Sequence, residues 1–279
     1  MISACEWIFA GRPLALTANL LVRAGCEGVE VSGEPSRDDL AELHDCLDRS
    51  ELKATGVTPL CRWPTDERDL AHPAAAARKR AVDYYRRCVD LASVVGAPAI
   101  GLIPVAVGRV APIGDPATEW SDAVRGATEV AEYAGERGVS VGIEAVNRYE
   151  SYLVSTAEQA LTFAHEIGLP NVGVILDLFH MNIEESDVSQ ATTTAVATGD
   201  LIALHVADSN RRAPGAGHAD IMNPVKSALS QGFNGPIVLE CTAPGPDPFT
   251  ADKGSQAMAI LDDDIVNGTR ILMETLNGG

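Results

Sequence analysis

Eight short apolar segments constrain the fold of this chain more than any other feature of its sequence. Each is rich in Val and Ile and is continuously apolar rather than alternating. Continuous runs of this length are typical of β-strands that are covered on both faces, as in a parallel sheet. The predicted strands are residues 2–7, 28–33, 52–57, 98–103, 139–146, 172–178, 201–207 and 236–241.

Longer helical patterns lie between these strands. Pro73 suits the first turn of one helix, and Ser155 or Thr156 is placed to cap another. Glycine residues stand where four helices are expected to stop, namely Gly25, Gly96, Gly138 and Gly168. The predicted helices are residues 14–24, 36–50, 73–95, 117–137, 156–167, 187–198, 222–231 and 255–275.

Eight strand-then-helix units within 279 residues fit a (β/α)8 TIM barrel better than an open, doubly wound α/β sheet. No glycine-rich dinucleotide fingerprint follows the first strand. The chain also has no linker run, low-complexity tract or obvious internal repeat. We therefore predict an α/β fold, a single TIM-barrel domain over residues 1–279.

The net charge of −18 argues against several classes of partner. A protein that binds nucleic acid needs clustered Lys and Arg to displace phosphate counterions, and a protein that binds an anionic membrane needs basic segments. No apolar run reaches the length of a membrane-spanning helix, and the N-terminus lacks a signal-peptide pattern. The six cysteines show no CxxC spacing and are interpreted as reduced thiols. We expect a cytoplasmic protein that binds neither nucleic acid nor membrane.

The last four predicted strands each place a polar side chain near their C-terminal ends, where TIM barrels gather their chemistry. These side chains are Glu144, Asp177, His205 and Glu240. Burying an ionised carboxylate is costly unless a cation pairs with it, and three converging carboxylates would repel one another. A divalent ion removes this repulsion. Three carboxylates with one imidazole suit Mn²⁺, Mg²⁺ or Co²⁺ better than an ion that prefers thiolates.

Four stretches of the sequence resemble a known family, and they read IEAVNRYE, LDLFHMNIEE, LHVADSNRRAPGAGH and VLEC. They resemble the sugar isomerase and epimerase family with a xylose-isomerase-like TIM barrel. Within it, the ketose 3-epimerases that act on D-tagatose and D-psicose show the most similar pattern. The similarity is most specific between residues 139 and 241.

The resemblance implies one divalent ion, Mn²⁺ or alternatively Mg²⁺ or Co²⁺. It implies that the metal ligands are Glu144, Asp177, His205 and Glu240. It further implies substrate-positioning side chains, which match Glu150, His180 and Arg211. The partners it implies are a small sugar substrate and further copies of the chain, in a homodimer or a homotetramer.

Under this hypothesis the enzyme inverts carbon 3 of a free ketose through an enediolate. Glu144 and Glu240 are the expected catalytic pair, because one would remove a proton from one face and the other would return a proton to the opposite face. His180 and Arg211 would hold the substrate. Glu150 would orient His180 by accepting its second N–H.

Several other residues are placed near the expected pocket. Trp7 and Glu30, at the ends of the first two strands, would line it, with ordinary packing an open alternative for Trp7. Position 208 is Asp where relatives often have Glu, and His218 receives no role. The Pro- and Gly-rich segment 241–254 is expected to cap the pocket.

The sequence leaves three alternatives open. The same site could catalyse isomerisation, as in hydroxypyruvate or inosose isomerases, or elimination, as in C-glycoside deglycosidases that pair with a small second subunit. A metal-dependent endonuclease for abasic DNA shares the barrel, but the negative charge and the six His residues argue against it. A non-catalytic barrel is the third alternative, and four candidate ligands in register argue against it.

Overall fold

The structure, a computed structural model, describes residues 1–9, 11–37, 39–65, 67–247 and 253–277. Eight strands close into a barrel in sequence order, and each strand is parallel to its neighbours. The predicted (β/α)8 barrel is therefore confirmed. The strands are β1 Ile2–Cys5, β2 Gly28–Gly33, β3 Lys53–Pro59, β4 Ala99–Leu102, β5 Ser140–Glu144, β6 Val172–Asp177, β7 Leu201–Val206 and β8 Ile237–Leu239.

Helices surround the barrel in the order that the sequence predicted, with one addition. The described helices are α1 Leu14–Ala24, α2 Leu40–Ser50, α3 Ala75–Val95, α4 Pro116–Gly135, α5 Ala157–Ile167, α6 Leu178–Glu184, α7 Val188–Thr198, α8 Met222–Ser230 and α9 Ser255–Asn277. None of them is long and apolar enough to cross a membrane.

The predictions missed two short helices next to strands. The sixth strand ends at Asp177, whose carboxylate accepts the N–H of Phe179 at 2.8 Å and caps α6. The run LDLF is apolar enough for a sequence pattern to place it in the strand. In the structure, the capping hydrogen bond starts a helix and the strand ends at Asp177. A short 3₁₀ helix, Glu6–Phe9, likewise replaces the end of the first predicted strand.

Most helix ends follow the expected local chemistry. Thr156 caps α5 in a capping box, but its partner is Gln159 rather than an acidic residue. Helix α3 begins two residues after Pro73. Three of the four predicted glycines end their helices in the left-handed conformation, and Gly138 instead lies three residues beyond the end of α4.

Burial on both faces explains why the strand segments are continuously apolar. All four residues of β4 are buried, and Ile100 and Leu102 have no accessible surface. Phe163 on α5 is also fully buried and packs in the same core. Each such side chain contributes about 1.5–3 kcal/mol of transfer free energy on burial. The core thus fixes the strand register and with it the positions of the polar strand ends.

Candidate active site

The four predicted metal ligands meet at the C-terminal end of the barrel, and all are buried. The β6–β7 register places Asp177 beside His205. Nδ1 of His205 lies 3.5 Å from Oε1 of Glu144 and 3.5 Å from Oε2 of Glu240. Strands β5 to β8 therefore bring three carboxylates and one imidazole to a common mouth, as the sequence predicted.

Arg211 reaches into the same cluster from the loop after β7. Its Nη1 lies 2.8 Å from Oδ2 of Asp177 and 3.1 Å from Oε2 of Glu240. Its Nη2 lies 3.2 Å from Nε2 of His180, and its guanidinium stacks 4.2 Å above the ring of Phe179. Arg211, and not the adjacent Arg212, is thus the arginine that faces the cluster.

Glu30 contacts the cluster directly, whereas the sequence analysis expected it only to line the pocket. It is buried at the middle of β2, its Oε2 lies 3.2 Å from Nε2 of His205, and Thr58 donates a hydrogen bond to its other oxygen. The carboxylate therefore fixes the orientation of the imidazole and directs Nδ1 towards Glu144 and Glu240. The signal in the sequence was the same as for Glu144, namely a carboxylate inside an apolar strand.

The predicted contact between Glu150 and His180 is replaced by a relay through Asn147. The Nδ2 atom of Asn147 lies 3.1 Å from Oε1 of Glu150 and 2.6 Å from Nδ1 of His180. The neighbouring Arg148 does not compete for Glu150, since it forms an ion pair with Glu184 at 2.7 Å. Glu150 therefore affects the position of the imidazole only indirectly, through Asn147.

Trp7 and Cys5 hold one oxygen of Glu240. The indole Nε1 of Trp7 donates to Oε1 at 2.9 Å, and the thiol of Cys5 lies 3.6 Å from the same atom. Burial and the nearby carboxylates raise the pKa of Cys5 well above its usual value, so this side chain is a thiol donor. Trp7 therefore does more than line the pocket, since it fixes the orientation of Glu240.

Burial and neighbouring charges shift the pKa values of these groups in different directions. Burial raises the pKa of Glu144 and of Asp177 and lowers the pKa of His180 to about 4. Burial also acts on His205 and Glu240, but opposite charges outweigh it. The carboxylates of Glu30 and Glu240 raise the pKa of His205, and His205 and Arg211 hold the pKa of Glu240 well below its usual range.

A cavity of about 340 Å³ opens above the cluster. Its lining contains the two glutamates Glu144 and Glu240 and a small apolar cluster of Cys61, Ile103 and Val146. Cavities of this size bind small organic molecules. The lining also includes Trp7, Thr58, Pro59, Leu60, Arg62, Arg68, Val107, Glu150, His180 and Arg211. Residues 248–252 of the segment expected to cap the pocket lie outside the described ranges.

The buried donor atoms at the mouth fit a divalent cation. Nδ1 of His205 is buried without a hydrogen-bond partner in the described part of the chain, although two carboxylates face it. Donor atoms fall into two groups within 4.8 Å, one of Glu144, Asp177 and His180, the other of Cys5, His205 and Glu240. The predicted four ligands are divided between these groups. Oxygen and imidazole donors of this kind suit Mn²⁺, Mg²⁺ or Co²⁺.

Residues 18–261 match the sequence profile of the xylose isomerase-like TIM barrel family. The chain belongs to this family. The match includes all seven residues to which the sequence analysis gave a metal-binding, catalytic or substrate-holding role. It confirms the family resemblance that four short stretches had indicated.

Relatives within this family include sugar epimerases. The D-psicose 3-epimerase of Ruminiclostridium cellulolyticum is 30% identical over 231 residues, which are 79% of this chain and 75% of that enzyme. The 3-dehydro-D-guloside 4-epimerase of Escherichia coli is 28% identical over 241 residues, which are 84% and 88% of the two chains. A structure of D-psicose 3-epimerase with D-tagatose from Clostridium cellulolyticum superposes with a TM-score of 0.86, 99% coverage of both chains and 24% identity, which shows a shared fold.

Asp208 organises the loop that presents Arg211. Its buried carboxylate accepts backbone N–H groups from Ser209, Gly215 and Ala219 at 2.7–3.0 Å. The backbone N–H of Arg211 donates to the carbonyl of Asp208 at 2.8 Å, and this holds Arg211 at a φ of 58°. The loop that contains the APGAGH stretch is thus built around one carboxylate. Nδ1 of His218 lies 3.0 Å from the hydroxyl oxygen of Ser209 in the same loop.

We expect Asp208→Asn to lower the free energy of unfolding by roughly 1–3 kcal/mol at neutral pH, because buried N–H donors lose their anionic acceptor. These donors outweigh burial and lower the pKa of Asp208, so its contribution is present at neutral pH and is lost as the pH falls through the folded-state pKa. Urea unfolding at several pH values measures the difference. The exposed Asp220→Asn is the control, and an equal loss in both variants, or a deficit that persists in acid, contradicts the prediction.

Proposed function

We propose that this protein is a metal-dependent sugar epimerase that inverts carbon 3 of a free ketose by removing and returning a proton. The observation that supports it best is the approach of Glu144 and Glu240, from β5 and β8, to the same imidazole nitrogen at the floor of a sugar-sized cavity. The epimerase names of its relatives support the same reaction class.

The proposed metal ligands are Glu144, Asp177, His205 and Glu240, and Mn²⁺, Mg²⁺ or Co²⁺ suits this donor set. The bound ion would supply Lewis-acid stabilisation of the negative charge that develops on the substrate oxygens. Glu30 would assist by holding the imidazole through Nε2, 3.2 Å away, so that Nδ1 stays directed at the cluster.

Two glutamates would perform the proton transfers. One carboxylate accepts the proton from carbon 3, and the C–H electron pair shifts towards the adjacent carbonyl to give an enediolate. The other glutamate, which is protonated at the start, then donates its proton to the opposite face of carbon 3, and the carbonyl re-forms with inverted configuration. Proton exchange with solvent afterwards restores the protonation states of the two glutamates. Which of Glu144 and Glu240 acts first depends on the epimer that enters. Trp7 and Cys5 both contact Oε1 of Glu240, so Oε2, which lies 3.1 Å from Nη1 of Arg211, would be the oxygen that exchanges the proton.

Three side chains would hold the substrate. Arg211 and His180 lie 3.2 Å apart beside the carboxylates and offer N–H donors to the carbonyl end of a sugar. Glu150 lines the cavity and braces His180 through Asn147. The homodimer or homotetramer, and the cytoplasmic location, stay predictions.

We expect Glu30→Gln to weaken Mn²⁺ binding by roughly 10- to 100-fold, because it removes the charge that orients and polarises His205. Isothermal titration calorimetry with Mn²⁺ measures the dissociation constant directly. Asp122→Asn is the control, since the Asp122 side chain is only 13% exposed and pairs with Arg78 and not with the proposed ligands. Wild-type Mn²⁺ affinity in Glu30→Gln would contradict the role assigned to Glu30.

Incubation of the Mn²⁺-loaded protein with a panel of sugars tests the proposed reaction. The panel contains fructose, psicose, tagatose and sorbose, together with a 3-keto-glycoside. A product inverted only at carbon 3 of a free ketose supports the proposal. An aldose product would make the protein an isomerase, and expulsion of the aglycone would make it a lyase. Conversion of the keto-glycoside alone, by inversion at carbon 4, would move the reaction to the carbon named for the Escherichia coli relative.

A further inference from the structure

A second buried charge cluster lies behind the loops that follow β3, β4 and β5. Arg109, Asp69 and Glu119 are only 3%, 1% and 2% exposed. Nε of Arg109 lies 2.8 Å from Oδ2 of Asp69, and its Nη1 lies 2.7 Å from Oε2 of Glu119. The hydroxyl of Tyr152 donates to Glu119, and its ring lies 5.0 Å from the guanidinium. These four residues are called the Arg109 cluster below. Asp69, Arg109 and Tyr152 each come from one of the three loops, and Glu119 lies in the first turn of α4.

Backbone hydrogen bonds around Arg109 join the same loops. The N–H of Gly108 donates to the carbonyl of Glu150 at 2.6 Å, and the N–H of Val107 donates to the carbonyl of Cys61 at 2.7 Å. The N–H of Trp63 returns a hydrogen bond to the carbonyl of Val107 at 2.8 Å. Cys61, Val107 and Glu150 all line the cavity. The Arg109 cluster therefore supports one wall of the cavity from behind.

Stability alone is a weak reason for such a cluster. Three ionised groups lose their hydration on burial, and well-packed apolar residues of the same volume are often equally or more stabilising. The members of the Arg109 cluster are not among the residues that line the cavity, so contact with a ligand does not explain them either. Directional ion pairs do fix the relative positions of the segments that carry them, and apolar packing does this less well.

We propose that Arg109 is a positioning residue, which with the rest of the Arg109 cluster locks the three loops together and so holds Glu150 against Asn147 and His180. The effect on catalysis rests on the proposed function, whereas the effect on the loops does not. Glu150 receives the Gly108 N–H on its carbonyl, and its carboxylate reaches Asn147 at 3.1 Å. A shift of the β4–α4 loop would thus reach the imidazole through Glu150 and Asn147.

Two variants test the role of the cluster. The neutral triple variant Arg109→Met, Asp69→Asn, Glu119→Gln removes the charges without leaving one unpaired, and Tyr152→Phe removes a single hydroxyl. Arg137→Met is the matched control, because Arg137 also pairs with an aspartate, Asp90, and stacks on a tyrosine, Tyr133. It lies between α4 and β5, at the end of the barrel opposite the cavity.

Hydrogen exchange and kinetics give separate readouts. We expect faster amide exchange in peptides covering residues 61–63, 107–109 and 150–152, with unchanged exchange in the strands. For the active enzyme we expect KM to rise roughly 2- to 30-fold with kcat changed much less, since substrate holding and not proton transfer is disturbed. Tyr152→Phe should show the same pattern at smaller amplitude, and the control should show neither change.

Three outcomes would overturn the proposal. They are unchanged exchange in those peptides, a uniform rise in exchange across the barrel, and faster local exchange with wild-type KM. If the wild-type protein converts no sugar, the proposed function fails, and the exchange measurement still decides whether the Arg109 cluster locks the loops.

Discussion

Replacing Glu240 by glutamine is expected to lower kcat by roughly 10²- to 10⁴-fold while the barrel stays folded. Glutamine keeps the size of the side chain. Its one carbonyl oxygen can still accept a hydrogen bond from either Trp7 or Arg211, which contact different oxygens of Glu240 at 2.9 and 3.1 Å. It cannot take up or release a proton at carbon 3. The same loss is expected for Glu144→Gln, because inversion needs a proton carrier on each face.

The losses in kcat caused by Glu144→Gln and Glu240→Gln should not add in the double variant. Either substitution breaks the same two-step sequence, so the double variant is expected to be about as slow as the slower single variant. Initial rates with each epimer, together with circular dichroism, measure activity and folding separately. Glu27→Gln is the control, since Glu27 precedes β2 at the opposite end of the barrel. A folded Glu240→Gln variant with a kcat within tenfold of wild type would remove Glu240 from the catalytic pair.

Saturating Mn²⁺ is expected to raise the melting temperature of the metal-free protein by roughly 5–10 °C. An ion present at a hundred times its dissociation constant adds about 2.7 kcal/mol, and each kcal/mol shifts a domain of this size by about 2–4 °C. The physical reason is the packing of three buried carboxylates, Glu144, Asp177 and Glu240, around one imidazole. A chelator should reverse the shift and abolish turnover.

His205→Gln should remove most of this shift, because its Nδ1 is a buried atom at the mouth without a hydrogen-bond partner among the described residues. Differential scanning calorimetry with and without Mn²⁺ measures it. His165→Gln is the control, since His165 is exposed and pairs with Asp200 on the outside of the barrel. An equal Mn²⁺ shift in His205→Gln and wild type would place the ion elsewhere, and the absence of any shift in wild type would contradict a metal site at this mouth.

The barrel was predictable because its signal is local. Continuous apolar runs such as residues 172–177 report burial on both faces, and the spacing of the helices between them allows few other folds. The start of α6 was not predictable in the same way. Asp177 ends the strand by capping the next helix, and an aspartate in the run LDLF gives no sign of which N–H it will accept.

The candidate site was predictable where strands deliver its residues and unpredictable where contacts cross the barrel. Glu144 and Glu240 follow from their places at strand ends. The pairing of Glu30 with His205 joins β2 to β7, residues 175 positions apart, and no sequence pattern marks it. The burial of Arg109 was harder to predict, because an arginine in a loop is usually a surface cation. Only the structure shows that Asp69 and Glu119 surround it.

Proton NMR of the Mg²⁺-loaded protein with its ketose in D₂O tests the central claim most directly. The account predicts that the carbon 3 proton signal disappears from both epimers as the new epimer forms, while the carbon 1 protons keep their intensity. It also predicts that Glu240→Gln stops the exchange. Inversion with the carbon 3 proton retained, or exchange at carbon 1 with an aldose as product, would contradict the account.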